Sequence, residues 1–184
     1  MAVDIVRQWE AEGQFPQADY AFDCGVLFRP LTELIAASGK HWVSEIESSR
    51  LILWQGQWQR VDGIAQAWRQ EHPESFRANV VTGRNGQQRN IWAFTQTVRW
   101  KKYGSKRLVV VHETADLSDT PRFLLTDALH WDSSRTLTPG VIAGRFRPFM
   151  SLSSKLSAFS RRETLARTRR LSYARRKRLS VTSV

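Results

Sequence analysis

The chain has 184 residues, 41% hydrophobic and 24% charged, enough for one soluble-type domain with its own core. No apolar run approaches the roughly 20 residues of a membrane span. The acidic, amphipathic start MAVDIVRQWEAEG is neither a signal nor a transit peptide, and the single cysteine, Cys24, excludes an intrachain disulfide and any cysteine-rich metal site. No membrane association and a cytoplasmic location are therefore expected. The formal net charge of +11 is unevenly placed. Residues 1–134 hold 15 Lys+Arg against 16 Asp+Glu, whereas residues 135–184 hold 13 Lys+Arg and one acid, Glu163. All eight Trp lie in the first part. Two chemically different polymers meet near Arg135.

Residues 4–13 place Ile5, Val6 and Trp9 on one side and end at Gly13, an amphipathic helix. A short apolar strand over Tyr20–Phe22 runs into Asp23 and a turn. Residues 30–38 carry Leu31, Leu34 and Ile35 and stop at Gly39, a second helix. Residues 41–46 alternate Trp42, Ser44 and Ile46, a strand signal. The opening is thus β–α–β after a first helix, with an acid at the carboxyl end of the first strand.

From Arg50 to Glu113 the pattern is mainly β. RLILWQGQWQRV predicts a hairpin around Gln55-Gly56, and NIWAFTQTVRWKKYGSKRLVVVHE two further strands turning at Tyr103-Gly104-Ser105, with Lys101 and Lys102 just before the turn. A helix over residues 61–69 and the turn GRNG (83–86) separate these pieces, and residues 121–128 form one more strand. The tail is Ser- and Arg-rich with weak periodicity and no apolar stripe wide enough to fold alone, so a disordered basic segment is expected there.

Four stretches, FPQADYAFDCGVL, SGKHWVSEIESSRLILWQGQWQRVD, HPESFRANVV and LVVVHETADLSDTPRFLLTDALHWDSSR, resemble insertion-sequence transposases of the DDE superfamily, whose catalytic domain has the RNase H-like fold. The resemblance spans residues 1–135. It implies an α/β fold: a partial RNase H-like domain carrying a β-rich insertion over about 50–113, followed by a basic tail over 136–184. It also implies metal-dependent DNA cleavage and strand transfer in the parent enzyme, with Mg²⁺ held by Asp, Asp and Glu, and element-end DNA as partner. Asp23, after the strand YAF, matches the second aspartate and would be a catalytic metal ligand. Asp19, before the strand, is its competitor.

The first aspartate would lie upstream of the opening helix. The last carboxylate would follow HWDSSR in a signature W-S-Y-R-W-P-x-E-x-F-H-E-F-x-K-Q, where this chain reads TLTPGVIAGRFRPFMSLSSK. If the tail is read from the third base of each codon, Pro139 through Phe146 permit W-S-Y-R-W-P-V, and Pro148 through Lys155 permit F-H-E-F-V-K-Q. Tyr173 through Val184 permit R-K-E-E-A-V-K-R-H-F-R. A frameshift near Arg135 is inferred, making the tail out-of-frame. Phe146-Arg147 cannot encode Glu in the shifted frame, so the last carboxylate is lost there too.

Simpler roles stand beside these. An aspartate at a strand end commonly satisfies backbone N–H groups, and Asp127 in TDAL is expected to do so. His112 and His130 lack a metal-ligand spacing, Cys24 reads as a small buried side chain, and Trp54, Trp58 and Trp68 as core. Lys101, Lys102, Lys106 and Arg107, with Arg99, form a basic hairpin that suits phosphate contact or a solvated turn equally well. Two other functions fit the composition: a small basic nucleic-acid-binding protein, or a truncated product that traps full-length transposase. With one of three carboxylates, neither tight Mg²⁺ binding nor strand transfer is expected, and the exposed sheet edge predicts marginal stability.

Overall fold

The computed structural model describes residues 2–13, 16–82 and 86–137. The basic segment from 138 onward, and with it the expected disordered tail, lies outside the described residues, as does most of the GRNG turn. The described chain is mixed α/β around one mostly antiparallel sheet. In order it runs α1 (Ala2–Ala11), β1 (Tyr20–Phe22), α2 (Arg29–Ala37), β2 (Trp42–Ile46), β3 (Leu51–Trp54), β4 (Gln57–Arg60), α3 (Val61–Glu71), a 3₁₀ turn (Pro73–Ser75), β5 (Arg77–Thr82), β6 (Gln88–Trp100), β7 (Gly104–His112), β8 (Arg122–Thr126) and α4 (Ser133–Leu137).

The sheet order is β1-β2-β8-β7-β6-β3-β4, with β5 also on β6. Only β1 and β2 run parallel, Phe22 lying opposite Ser44, as a βαβ crossover through α2 requires. β2 then pairs antiparallel with β8, and β8 with β7. The long strand β6 serves two partners: its first half pairs with β5 and its last residues with β3.

Local chemistry explains the boundaries. α2 ends in a Schellman motif: Gly39 at φ 71° lets its own N–H reach Ala36 O (3.0 Å) and that of Lys40 reach Ile35 O (3.2 Å). Gln55 and Gly56 both take positive φ, the two-residue turn that matches strand twist. The β6–β7 turn falls earlier than the glycine suggests. Trp100 pairs directly with Gly104, so Lys101, Lys102 and Tyr103 form the loop itself. The Tyr103 ring stacks on Trp100 (4.4 Å between centroids), which holds the loop in that register. β5, which the sequence reading passed over, is mostly exposed and takes its strand identity from pairing with β6.

Pleating divides the core. One face joins Trp42, Val98, Trp100, Leu108 and Leu125 to Val6 of α1, Leu31 and Ile35 of α2, and Ile64 and Trp68 of α3. The other joins Val43, Val109, Val111 and Leu124 to Trp131 and Leu137 at the end of the described chain. β2 is therefore buried on both faces, Glu45 alone being partly open, and the simple alternation expected there is not found. Trp68 is core and packs edge-on to Trp54 (5.0 Å), but Trp58 on β4 is 45% exposed. Cys24 is exposed in the turn after β1, not buried.

α1 is fastened by a polar cluster. Glu10 Oε1 accepts from the Tyr20 hydroxyl and from Lys40 Nζ (2.7 Å), and the Lys40 ammonium lies 5.6 Å from the Tyr20 ring centre. Burial and the neighbouring Glu10 carboxylate push the Tyr20 hydroxyl pKa up, which keeps it a donor.

Candidate functional site

Three aspartates lie around the parallel β1–β2 pair and are used differently. Asp19, before β1, accepts the His41 backbone N–H at 2.9 Å, which starts β2 in register. Asp127, after β8, accepts the Trp42 N–H at 2.9 Å and lies 3.4 Å from His41 Nδ1. Both spend their carboxylates on the first amides of β2. Asp127 thus caps backbone, the role expected from sequence.

Asp23 differs. It follows β1 at the carboxyl end, its carbonyl accepting from Val26 N–H (3.2 Å) and Ser44 Oγ (3.3 Å). Its carboxylate, partly buried, has no protein partner among the described residues. Every other described carboxylate except exposed Glu71 is engaged by a hydrogen bond or an ion pair. A half-covered carboxylate with no protein donor is hydrated on its open side, and that side is free to accept an external cation or donor. Asp23→Ala should therefore leave stability unchanged within about 0.5 kcal/mol. Asp19→Ala should cost about 1–2 kcal/mol, because the His41 N–H loses its acceptor. Urea titration of both variants checks this, and an equal loss at Asp23 would make its carboxylate structural.

A second polar group surrounds Asp119, in a cleft of ≈ 290 Å³ lined in part by Asp62, Arg69, His112 and Ser118. Asp119 lies 3.0 Å from buried His112 Nδ1 and accepts from Glu113 N–H (2.8 Å) and Thr114 Oγ1 (2.8 Å). Arg69 Nη1 donates to Leu117 O (2.7 Å) across the same loop, where Leu117 takes a positive φ. Ser118 Oγ donates to Asp116 (2.9 Å). Among the described residues no hydroxyl is hydrogen-bonded to His112, and the His112–Asp119 pair locks the loop.

The basic hairpin is split by the pleat. Arg107 lies on the face opposite α1, α2 and α3, its Nε donating to Leu129 O (2.8 Å) and Nη1 to Thr95 Oγ1 (2.9 Å), so it braces the 128–131 segment. Lys106 faces α2 and donates to Tyr103 O (2.7 Å) and Ser105 O (3.1 Å). Burial lowers its pKa. Lys101 and Lys102, at the tip, are exposed and have no protein partner among the described residues. Sequence reasoning missed the two cations that share this end of the molecule, Arg29 and Arg50, because they come from other elements.

No protein-family model matches the chain, and no curated protein shows significant similarity to it. Among the described residues no group of three or more His, Cys, Asp or Glu could hold a metal ion, and no helix is long and apolar enough to cross a membrane.

Proposed function

We propose that residues 1–135 derive from the catalytic domain of a DDE-type insertion-sequence transposase and that the chain does not itself catalyse strand transfer. The observation that carries this reading is the unengaged carboxylate of Asp23 at the end of a strand in a parallel βαβ unit, at the position the YAFD resemblance marks. The order α1-β1-α2-β2 followed by an antiparallel β-rich segment supports the RNase H-like interpretation.

The residues present do not fit a pair of Mg²⁺ ions. Two-ion phosphoryl transfer needs several oxygen ligands converging on one place, and Asp19 and Asp127, the acids nearest in role, are already committed to backbone N–H groups. No catalytic step is assigned to this chain. Incubated with element-end DNA and Mg²⁺, it should give no cleavage above background; cleavage that disappears in Asp23→Asn would overturn the proposal.

The origin is tested independently by sequencing the coding DNA. A shifted frame beyond Arg135 that spells W-S-Y-R-W-P-V supports a disabled transposase copy. Codons that cannot spell it make the tail genuine. The strong basic bias of residues 135–184 then favours a small nucleic-acid-binding protein instead. Within the transposase reading, a chain of this kind that does not cleave would act on full-length transposase or on element DNA, reducing transposition when the two are co-expressed.

A further inference from the structure

The chain has four histidines and one cysteine, all within the described residues, so every imidazole and thiol is accounted for. His112 is buried against Asp119, and His72 is exposed beside Glu74 after α3. His41 and His130, far apart in sequence, come together at the opposite end of the parallel β1–β2 pair from Asp23. Their ring centres are 5.3 Å apart, with the planes inclined at 64°.

Both residues are held from behind. Asp19 accepts the His41 N–H (2.9 Å), and the His41 carbonyl accepts from the Tyr20 N–H (2.8 Å), which fixes the backbone that carries this ring. His130 sits between Leu129, whose carbonyl takes Arg107 Nε (2.8 Å), and buried Trp131. Both imidazoles stand edge-on to the Trp131 indole, at 5.4 and 6.3 Å. The ring nitrogens of His130 have no protein partner among the described residues. His41 Nδ1 faces Asp127 Oδ2 at 3.4 Å. With its proton on that nitrogen, His41 turns the Nε2 lone pair away from the carboxylate. A carboxylate behind an imidazole in this way orients it toward a metal ion and raises its basicity.

Neutral imidazole suits zinc, copper and nickel, whereas Mg²⁺ prefers oxygen ligands. A tetrahedral ion about 2.0–2.1 Å from each ligating nitrogen holds two imidazole ring centres roughly 5 Å apart. The separation of His41 and His130 matches that span. Two protein ligands fill half of such a shell, in keeping with the lack of a three-donor group among the described residues, and leave the rest to water or an outside ligand. Asp19 and Asp127 supply negative charge on the His41 side, while Arg107 and Arg135, the latter 5.0 Å from the Trp131 ring centre, oppose it. An open shell in mixed charge is suited to an exchangeable ion, not a structural one.

We propose that His41 and His130 form a two-histidine site for a transition-metal ion of the zinc class, with Asp127 as its positioning residue. The site does not rest on the transposase reading, since neither Asp23 nor Mg²⁺ takes part in it.

The untagged full chain should be titrated with Zn²⁺ by calorimetry at neutral pH in a large excess of Mg²⁺. One equivalent is expected to bind. His41→Ala and His130→Ala should each weaken binding by about tenfold or more, and Asp127→Asn, which keeps an acceptor for the Trp42 N–H, by about tenfold. His72→Ala and Cys24→Ser should change nothing. Both ligands must be neutral, so affinity should fall on acidification. His130 is exposed and makes no hydrogen bond among the described residues, so its loss does not threaten the fold. A second readout needs no variant: Zn²⁺ should protect His41 and His130, but not His72, from carbethoxylation read by mass spectrometry. No binding, displacement by Mg²⁺, dependence on His72 or Cys24, or affinity that survives loss of both histidines would overturn the site. Zinc-dependent protection of this pair would stand even if the coding DNA failed to spell the transposase signature.

Discussion

Replacing Glu10 with alanine is expected to destabilise the protein by about 2–3 kcal/mol, because it removes the carboxylate that faces a nearly buried ammonium and an acceptor of the Tyr20 hydroxyl. The Glu10 and Lys40 side chains are 19% and 10% exposed, so water does not take over when the carboxylate goes. The Tyr20 hydroxyl loses its acceptor in the same step. Glu10→Gln, which keeps an acceptor but not the charge, should cost about half as much. Burial raises the Glu10 pKa, but hydrogen bonds from Lys40 and Tyr20 and the Lys40 charge outweigh it, and the net shift is downward. The folded carboxyl thus titrates below its ordinary value near 4.5. Its contribution is complete above that value and is lost as the pH falls through the folded pKa. Denaturant midpoints of wild type and Glu10→Ala should therefore draw together as the pH is lowered through the folded pKa, below 4.5; a gap unchanged by acid would show that the charge is not what holds α1.

Asp119→Ala should cost about 2–3 kcal/mol. The change leaves His112, which is 1% exposed, without its partner and frees the Glu113 N–H and the Thr114 hydroxyl together. Burial raises the Asp119 pKa, but the Glu113 N–H, the Thr114 hydroxyl and His112 hold it below the usual carboxylate value. Stability from this group is present above the unfolded value and fades as pH drops through the folded one, again steepening the acid limb. Limited proteolysis offers a local readout. Cleavage in the 113–120 loop should rise in the variant, while sites in β6 stay protected. If the loop stays as resistant as in the wild type, Asp119 is not its lock.

The elements that could be read from sequence are those whose ends carry local chemistry. The glycine after α2, the Gln55-Gly56 turn and the apolar side of α1 announce themselves within a few residues. β5 does not, because its Val80 is 62% exposed and its strand form depends on β6. Trp58 read as core by residue type, yet β4 lies at the sheet's margin and covers only one side of it. At the candidate site, Asp23 was legible as an acid after a strand. What sets it apart from Asp19 and Asp127 was not, since those two catch amides 22 and 85 residues away in sequence. Lys101 and Lys102 were visible as a pair, but only the fold brings Arg29 and Arg50 to them.

The join between the parallel unit and the rest of the sheet has a consequence for biosynthesis. Among the described residues β2 meets the antiparallel strands through β8, and the Glu45–Arg122 pair that spans this seam is separated by 77 residues. On a ribosome adding about 5–20 residues per second, β2 emerges roughly 4–15 s before its antiparallel partner β8 exists. During that interval Val43 and Ile46, both buried in the finished protein, lack the later strands that complete their burial. The nascent chain is then a ready client for chaperones, and yield should depend on translation speed between β2 and β8 more than on final stability.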